Sequence, residues 1–273
     1  MTKIYGIVGH PVEHSLSPAM HNAAYKVEGI DAEYRHFDID PDDPAGLANF
    51  CYETDINGIA GFSVTMPYKE VIMEYMDNMD VLAKETSSVN TVKNEDSMLN
   101  GYNTDTIGAI RALQEKTEIK GKKALVLGAG GAARAIIYAL REFGAEVFVF
   151  NRTAQKAVAL AKKYDVEIVD FRDIKDDGFD IIVNCTPIGS FPQIEQSLLT
   201  ADQIKKGAVV MDITTNPQET QLLKEAKKAG AKTISGERML LHQAAGQFEI
   251  WFKKPAPFEV MEKALYEELA KRS

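Results

Sequence analysis

The stretch ALVLGAGGAARA, residues 124–135, decides the fold of this chain. It contains an apolar strand, a tight glycine turn and an alanine-rich helix, which is the context that a GxGxxA dinucleotide-binding fingerprint requires. Gly128 permits the turn, Gly130 lets the backbone approach a pyrophosphate, and the free amides of the helix N-terminus attract phosphate groups. The pattern predicts a dinucleotide site at Gly128, Ala129, Gly130, Gly131 and Ala132; the alternative is a glycine turn with a purely structural role.

The residues after the next strand predict which dinucleotide binds. An NAD site commonly has an acidic residue about 20 positions beyond the glycine turn, where it holds the ribose hydroxyls. This chain has Asn151, Arg152 and Thr153 at that place instead. An arginine can pair with the 2′-phosphate of NADP through two hydrogen bonds, and the asparagine and threonine can donate further ones. We therefore predict NADP rather than NAD; the alternative is that Arg152 is a solvated residue at a helix start.

Strand-like and helical runs alternate on both sides of the glycine turn. This alternation predicts an α/β protein with a doubly wound parallel sheet around the turn. The first hundred residues also have an α/β pattern. The tail from residue 239 is helical and has apolar residues at helix spacing. The predicted strands cover residues 3–8, 32–38, 58–64, 124–127, 146–150, 167–169, 181–184, 208–212 and 232–235.

Length and composition limit the organisation and the partners of the chain. Its 273 residues suit two units of about 100 to 150 residues each. The net charge of -9 disfavours nucleic acid and anionic membranes as partners. No apolar signal core or run of roughly 20 apolar residues is present, so we expect a cytoplasmic protein. Cys51 and Cys185 are far apart and the histidines are scattered, which predicts buried neutral thiols and no metal site.

Two serines in the segment GHPVEHSLSPAMHNAAY, residues 9–25, are candidate ligands for a substrate. Ser17 precedes Pro18, so we expect Ser17 to be the N-cap of a helix and Pro18 its first residue. Ser15 lies two positions earlier, and two hydroxyls beside a helix N-terminus can hold a carboxylate. Helix capping alone explains Ser17 equally well.

A lysine and an aspartate are candidates for proton transfer. In GFSVTMPYKEVI, residues 61–72, we expect a helix near Pro67 with Lys69 in its first turn, where the helix dipole disfavours a positive charge. In NGYNTDTIGAIRAL, residues 100–113, a helix begins around Thr104 and has Asp105 in its first turn. Together the two side chains could exchange a proton with a carbonyl oxygen during its reduction. The alternatives are an ordinary surface lysine and an ordinary capping aspartate.

These segments together resemble the shikimate dehydrogenase family, which includes shikimate and quinate dehydrogenases, and the match covers nearly the whole chain in order. The resemblance implies a substrate domain of residues 1–103 plus 239–273 and a Rossmann-type NADP domain of residues 104–238. By the same resemblance Lys69 and Asp105 are the catalytic pair. The other implied site residues are Ser15 and Ser17 for the substrate carboxylate, Thr65, Asn90 and Gln243 for other substrate contacts, and Thr186 and Gly236 for the cofactor.

The activity that the resemblance implies is the reversible NADP-dependent reduction of 3-dehydroshikimate to shikimate, a step of aromatic amino acid biosynthesis, by a monomer or homodimer. Four positions depart from the family pattern: Ser63, Thr106, Ser190 and Thr215. They keep a quinate or aminoshikimate-type dehydrogenase open as an alternative. A non-catalytic dinucleotide sensor is a third possibility, against which the presence of Lys69 and Asp105 argues.

Overall fold

The computed structural model describes residues 2–272, which divide into two compact units. The first unit comprises the residues up to Thr104 together with those from Gln243 onward, and the second is Asp105–His242. We predicted boundaries after residues 103 and 238. The second boundary is displaced because one uninterrupted helix, Gly236–Phe252, contains it, so no loop marks the division.

The elements alternate between strand and helix along the chain. The strands are β1 (Lys3–Gly9), β2 (Ala32–Asp38), β3 (Ile59–Val64), β4 (Asn78–Met79), β5 (Thr91–Glu95), β6 (Met98–Tyr102), β7 (Lys123–Leu127), β8 (Glu146–Phe150), β9 (Glu167–Ile168), β10 (Ile181–Asn184), β11 (Val209–Asp212) and β12 (Lys232–Ile234). The α-helices are α1 (Ser17–Val27), α2 (Gly46–Tyr52), α3 (Val81–Thr86), α4 (Thr104–Gln114), α5 (Gly131–Glu142), α6 (Ala154–Tyr164), α7 (Ile174–Asp177), α8 (Gln221–Lys228), α9 (Gly236–Phe252) and α10 (Phe258–Arg272). Short 3-10 helices cover Val71–Tyr75 and Ala201–Gln203.

The sheet of the second unit has the order β12-β11-β10-β7-β8-β9, and all its pairs are parallel. This is the strand order of a Rossmann fold, in which β7 is the first strand and the order reverses between β7 and β10. The predicted doubly wound parallel sheet is therefore confirmed. Ligands of such sheets bind outside the carboxyl ends of the strands at this point of reversal.

Strand β7 shows why both faces of this sheet are covered. Ala124 and Val126 lie in one apolar core with residues of helix α5 such as Ile136, while Leu125 and Leu127 lie in another with Leu223 of helix α8. Successive side chains of a strand point to opposite faces, so an apolar run of this kind needs a layer of helices on each side. The glycine turn that follows β7 therefore stands on a strand that is buried on both faces.

The sheet of the first unit has the order β2-β1-β3-β5-β6-β4 and is mixed. Strand β1 pairs in parallel with β2 and β3, whereas β5 is antiparallel to β3 and to β6. The β5–β6 hairpin was not predicted. Its turn residues Asp96 and Ser97 both have positive φ, of 55° and 60°, as a two-residue hairpin turn requires, but an Asp-Ser pair is not the Asn-Gly or Asp-Gly pair that usually marks such a turn.

The helical tail packs on this first sheet, as its apolar spacing predicted. The Trp251 ring of helix α9 lies 4.9 Å from the Tyr5 ring of β1, centroid to centroid. The Trp251 indole Nε1 also donates a 3.0 Å hydrogen bond to the Val92 carbonyl of β5. None of the helices described between residues 2 and 272 has both the length and the apolar character needed to cross a bilayer.

Candidate substrate and cofactor sites

Ser15 and Ser17 lie at the start of helix α1, but their capping roles differ from the prediction. Helix α1 begins at Ser17 itself, and the N-cap residue is Leu16, with no side-chain capping bond. The predicted Ser17 cap is therefore wrong by one residue. The Ser15 hydroxyl accepts a 3.2 Å hydrogen bond from the Ser17 amide, so a side chain two positions upstream satisfies this amide. Ser17 is 1% exposed, and its hydroxyl forms a hydrogen bond with Tyr34.

A chain of buried polar side chains continues from Ser17 across the sheet. The Tyr34 hydroxyl also forms a hydrogen bond with the Ser63 hydroxyl. The Ser63 Oγ donates to Gln247 Oε1 at 3.2 Å, and Gln247 Nε2 donates to the Asn90 carbonyl at 3.3 Å. Because β1 and β3 end and β5 begins at the same edge of the sheet, residues that are distant in sequence meet there.

Asn90 and Gln243 form the far end of this chain. Asn90 Nδ2 lies 3.4 Å from Gln243 Oε1, while Asn90 Oδ1 accepts the Thr104 amide at 2.7 Å. Five predicted or family-variant positions, Ser15, Ser17, Ser63, Asn90 and Gln243, are thus joined by hydrogen bonds through Tyr34 and Gln247. The predictions missed Tyr34 and Gln247. Gln247 could have been found from its position one helical turn after Gln243, on the same helix face.

The chain of hydrogen bonds contains no ionised group. Burial lowers the pKa of His21 to about 3, against a hydrogen bond to Gln247 that favours the charged form. His21 is therefore neutral, and its Nε2, which is 3.2 Å from Gln247 Oε1, carries the proton and donates it. Burial also raises the pKa of Tyr34 well above its usual value. Neutral hydroxyls and amides of this kind can donate hydrogen bonds to an anion such as a carboxylate.

Thr65 and Lys69 follow strand β3 in a turn. The Thr65 amide donates to the Val8 carbonyl at 2.8 Å, and the Tyr68 amide donates to the Thr65 carbonyl at 3.0 Å. Residues 66–70 form turns, and only a five-residue 3-10 helix begins afterwards, at Val71. The predicted helix near Pro67, with Lys69 in its first turn, is therefore wrong. The Lys69 carbonyl accepts the Val89 amide at 2.8 Å, so it bonds to the segment before β5 rather than along a helix, and the dipole argument for Lys69 does not apply.

Asp105 is the second residue of helix α4 and lies in its first turn, as predicted. Its side chain is buried, with 7% of the residue exposed. The preceding residue, Thr104, is held by Asn90, whose Oδ1 accepts both the Thr104 amide and, at 3.2 Å, the Thr104 hydroxyl. Asn90 therefore fixes the start of the helix that carries Asp105.

The glycine turn of the second unit has the features that the fingerprint predicts. Gly128 has a φ of +116°, and its amide donates to the Phe150 carbonyl at 2.8 Å, which connects the ends of β7 and β8. A Cβ on Gly128 would lie 3.1 Å from the Cys185 carbonyl oxygen, whereas a Cβ on Gly130 would have no atom within 4 Å. Gly130 caps helix α5, which begins at Gly131. Space therefore remains beside Gly130 and the free helix amides, as a pyrophosphate requires. The neighbouring residues Ala129 and Ala132 are half-buried.

Asn151, Arg152 and Thr153 follow strand β8, next to the glycine turn. Arg152 and Thr153 are exposed, and Thr153 is the N-cap residue of helix α6 without a side-chain capping bond. Asn151 Nδ2 donates to the Thr153 carbonyl at 2.9 Å, which leaves one of its two N–H groups for another acceptor. The arrangement suits a phosphate at the start of α6.

Thr186 and Gly236 lie in the segments that follow strands β10 and β12. The Thr186 amide donates to Asn184 Oδ1 at 3.0 Å. Gly236 opens helix α9, and a Cβ there would lie 2.3 Å from the Thr214 carbonyl oxygen, so only glycine fits. Cys185, beside Thr186, is half-buried, and burial raises the pKa of its thiol; burial also raises the pKa of the Cys51 thiol to about 12. Both raised pKa values keep the thiols neutral, as predicted, but only Cys51 is also buried as predicted.

Comparison with known proteins identifies the family. Residues 7–92 match the shikimate dehydrogenase substrate binding domain, residues 111–234 match shikimate / quinate 5-dehydrogenase, and residues 236–266 match the shikimate 5′-dehydrogenase C-terminal domain. The chain is 44% identical to shikimate dehydrogenase (NADP(+)) of Methanocaldococcus jannaschii, over 99% of this chain and 98% of that protein.

Two crystal structures are similar to the chain as well. A shikimate dehydrogenase in complex with NADP+ has a TM-score of 0.92 at 43% identity, covering 98% of this chain and 96% of that one. The Thermus thermophilus shikimate 5-dehydrogenase in complex with NADP(H) and shikimate has a TM-score of 0.90 at 35% identity, covering 97% and 99% of the two chains. The chain therefore belongs to the shikimate dehydrogenase family.

Proposed function

We propose that this protein catalyses the reversible reduction of the ketone of 3-dehydroshikimate to the alcohol of shikimate, with NADPH as the reductant. The observation that carries the proposal is the chain of neutral hydrogen-bonding side chains from Ser15 to Gln243, which suits a small polyhydroxylated acid. The near-full-length relatives named shikimate dehydrogenase (NADP(+)) support the same activity. The substrate carboxylate, its hydroxyls, the proton and the cofactor each have an assigned set of residues.

We assign the substrate carboxylate to Ser15 and Ser17. Both hydroxyls lie at the beginning of helix α1, whose amides carry partial positive charge. The Ser17 hydroxyl forms a hydrogen bond with Tyr34, which orients it before substrate binds. Substrate hydroxyls and the remaining ring contacts are assigned to Thr65, Asn90 and Gln243.

We assign proton transfer to Lys69 and Asp105. The carbonyl oxygen needs one proton when the hydride reaches the carbon, and a lysine ammonium beside a carboxylate can supply it. The backbone of each residue is anchored, Lys69 through its bond to Val89 and Asp105 through the Asn90–Thr104 contact. In the reverse direction the same pair takes the proton from the shikimate hydroxyl.

We assign the dinucleotide to the second unit. Bound NADPH supplies the hydride. Gly128, Ala129, Gly130, Gly131 and Ala132 would hold the pyrophosphate at the start of helix α5, and Asn151, Arg152 and Thr153 would hold the 2′-phosphate at the start of α6. Thr186 and Gly236 would contact the remaining part of the cofactor. The space beside Gly130 fits a group that approaches the backbone closely, whereas Gly236 is needed because the Thr214 carbonyl oxygen leaves no room for a Cβ.

A quinate dehydrogenase-type activity is the second candidate. Ser63 stands where asparagine is common in the family, and its hydroxyl is bonded to Tyr34 and Gln247. A serine leaves more room than an asparagine beside the substrate, and Thr215 stands where a tyrosine often contacts it. Quinate has one more hydroxyl than shikimate and no ring double bond. The extra room beside Ser63 therefore favours the binding of quinate.

Steady-state oxidation of shikimate and of quinate, each with NADP and with NAD, tests the proposal. We expect the highest kcat/KM for shikimate with NADP. Lys69→Ala is expected to lower kcat by about 10²- to 10⁴-fold with a smaller change in KM, because proton transfer acts mainly in the transition state. The exposed Lys84→Ala is the matched control. An unchanged kcat in Lys69→Ala would exclude the assigned proton transfer, and a higher kcat/KM for quinate would favour the second candidate.

Gel filtration with light scattering distinguishes the monomer from the homodimer.

A further inference from the structure

A buried carboxylate that has no place in the reaction above ends strand β11. Asp212 is fully buried, with 0% of the residue exposed. In the parallel sheet it lies opposite Asn184, the last residue of β10. Taking a carboxylate out of water costs several kcal/mol unless hydrogen bonds replace its hydration. The stability of Asp212 at this position therefore depends on its hydrogen-bond partners.

Every identified partner of Asp212 is a hydrogen-bond donor. Asn184 Nδ2 lies 3.2 Å from both carboxylate oxygens, and the Thr220 hydroxyl donates to Oδ2 at 2.7 Å. The Thr214 amide donates to Oδ1 at 3.1 Å, and its hydroxyl forms a further bond. A set of donors is complementary to an ionised carboxylate, which can only accept. Burial raises the pKa of Asp212 above its usual value, although these bonds oppose the rise. Burial first, and the charge of Asp212 second, raise the pKa of the Cys185 thiol.

On one side, the carboxylate determines how the segment after β10 is held. Because Asn184 Nδ2 faces Asp212, Asn184 Oδ1 faces the other way and accepts the Thr186 amide at 3.0 Å and the Thr186 hydroxyl at 2.8 Å. The Asn184 Nδ2 also donates to the Ile188 carbonyl at 3.3 Å. This segment lies against the glycine turn, since a Cβ on Gly128 would be 3.2 Å from Thr186 Cγ2.

On the other side, the carboxylate holds the segment after β11. The Thr214 amide bonds to Asp212, and the Thr214 carbonyl oxygen lies against Gly236 at the start of helix α9. The Thr220 hydroxyl donates to Asp212 and also accepts the Leu223 amide, so the same carboxylate fixes the N-cap of helix α8. One side chain therefore connects the two segments that adjoin Thr186 and Gly236.

We propose that Asp212 is a positioning residue, whose ionised carboxylate holds the segments after β10 and β11 in the arrangement that receives the nicotinamide end of the dinucleotide. The part that names the cofactor rests on the proposed function. Asp212 itself does not touch the reacting atoms. It acts through Asn184 on Thr186 and through Thr214 on the start of α9.

The variant Asp212→Asn tests this role. The amide nitrogen of the new side chain would replace one of the two carboxylate oxygens that accept the surrounding hydrogen bonds. Asn184 would then lose its fixed orientation. We expect the KM for NADP to rise about tenfold or more and kcat to fall, while the KM for shikimate changes by less than about twofold; tenfold corresponds to ~1.4 kcal/mol. The control is Asp180→Asn, a partly exposed aspartate just before β10, which is expected to leave both KM values near those of the wild type.

The exchanged pair, Asn184→Asp with Asp212→Asn, is the rescue variant. It restores one carboxylate between the strand ends and is expected to recover most of the affinity for NADP. The loss of affinity in the double variant should therefore be smaller than the sum of the losses in the two single variants. If Asp212→Asn does not fold, Thr220→Val removes one bond to the carboxylate and is expected to raise the KM for NADP by a smaller factor. A loss of activity with both KM values unchanged, or no rise in the KM for NADP, would overturn the proposal.

Direct binding separates this proposal from the proposed function. NADPH binding is followed by its fluorescence, without turnover. If the wild type binds NADPH but oxidises neither shikimate nor quinate, the proposed function fails, and weaker binding by Asp212→Asn still supports the positioning role. If turnover occurs but Asp212→Asn binds NADPH like the wild type, only the positioning role fails.

Discussion

The side chain of Asn90 holds the backbone of Thr104, since Asn90 Oδ1 accepts the Thr104 amide at 2.7 Å. The same oxygen accepts the Thr91 hydroxyl at 2.8 Å. Asn90 is thus bound within the protein on its oxygen side, and its Nδ2 lies 3.4 Å from Oε1 of Gln243, the other side chain of this pair that we assign to the substrate. The residue that we assign to the substrate also fixes the first residue of helix α4, immediately before Asp105.

Asn90→Ala is expected to lower both stability and activity. It leaves the buried Thr104 amide without its acceptor, which costs about 1 to 3 kcal/mol of unfolding free energy, while the Thr91 hydroxyl keeps the Thr104 hydroxyl as a partner at 3.0 Å. The start of helix α4 is then less well held, so kcat should fall too. Urea unfolding and the shikimate assay measure the two effects. The exposed Asn78→Ala is the control, with an expected change within about 0.5 kcal/mol. An unfolding free energy of Asn90→Ala equal to that of the wild type would contradict the role given to this contact.

Two glycines of the second unit should respond differently to alanine. A Cβ on Gly130 meets no atom within 4 Å, so Gly130→Ala is expected to fold with near-wild-type stability but to raise the KM for NADP, because the methyl group occupies the space assigned to the pyrophosphate. A Cβ on Gly236 would be 2.3 Å from the Thr214 carbonyl oxygen, so Gly236→Ala must displace backbone and is expected to lower the melting temperature. Thermal unfolding and NADP titration of both variants check this. Equal stability of the two would be inconsistent with the packing at Gly236.

Arg152→Ala should change the preference between the two dinucleotides. The exposed guanidinium is assigned to the 2′-phosphate, and removing a bidentate pair is expected to raise the KM for NADP by about tenfold or more while the KM for NAD changes little. The measurement is kcat/KM with each dinucleotide at saturating shikimate. Lys162→Ala, at the other end of helix α6, is the control. An equal rise in both KM values would show that Arg152 does not discriminate between them.

Protonation of His21 should destabilise the protein at acidic pH. Burial lowers its pKa from 6.5 to about 3 in the folded state, so between these values the unfolded chain binds a proton that the folded chain does not. Stability from this residue is therefore lost as the pH falls below about 6.5, by about 2 kcal/mol between pH 7 and pH 5. The unfolding free energy of wild type and His21→Gln, measured at both pH values, isolates the effect, since glutamine does not titrate. The exposed His36→Gln should retain the wild-type dependence. A parallel dependence in wild type and His21→Gln would rule out the effect.

Several features were predictable because their signals are local. The turn at Gly128, the helix that follows it and the helix start at Asp105 each depend on residues within a short segment. Two local predictions were nevertheless wrong. Lys69 lies in a turn because its carbonyl bonds to Val89, and Ser17 is not the N-cap because the Ser15 hydroxyl reaches its amide. In both cases a partner outside the expected helix decided the outcome.

The amino-acid sequence by itself determined the Rossmann-type sheet and the place of its glycine turn, because strand periodicity, glycine conformation and helix capping act over a few residues. Only the tertiary structure decided which polar groups share a site. Ser63 and Gln247 are 184 positions apart and meet because β3 and α9 pack together, and Asn184 and Asp212 meet because β10 and β11 end side by side. Such contacts depend on how strands are ordered in a sheet, and strand order is a property of the folded chain rather than of any single segment.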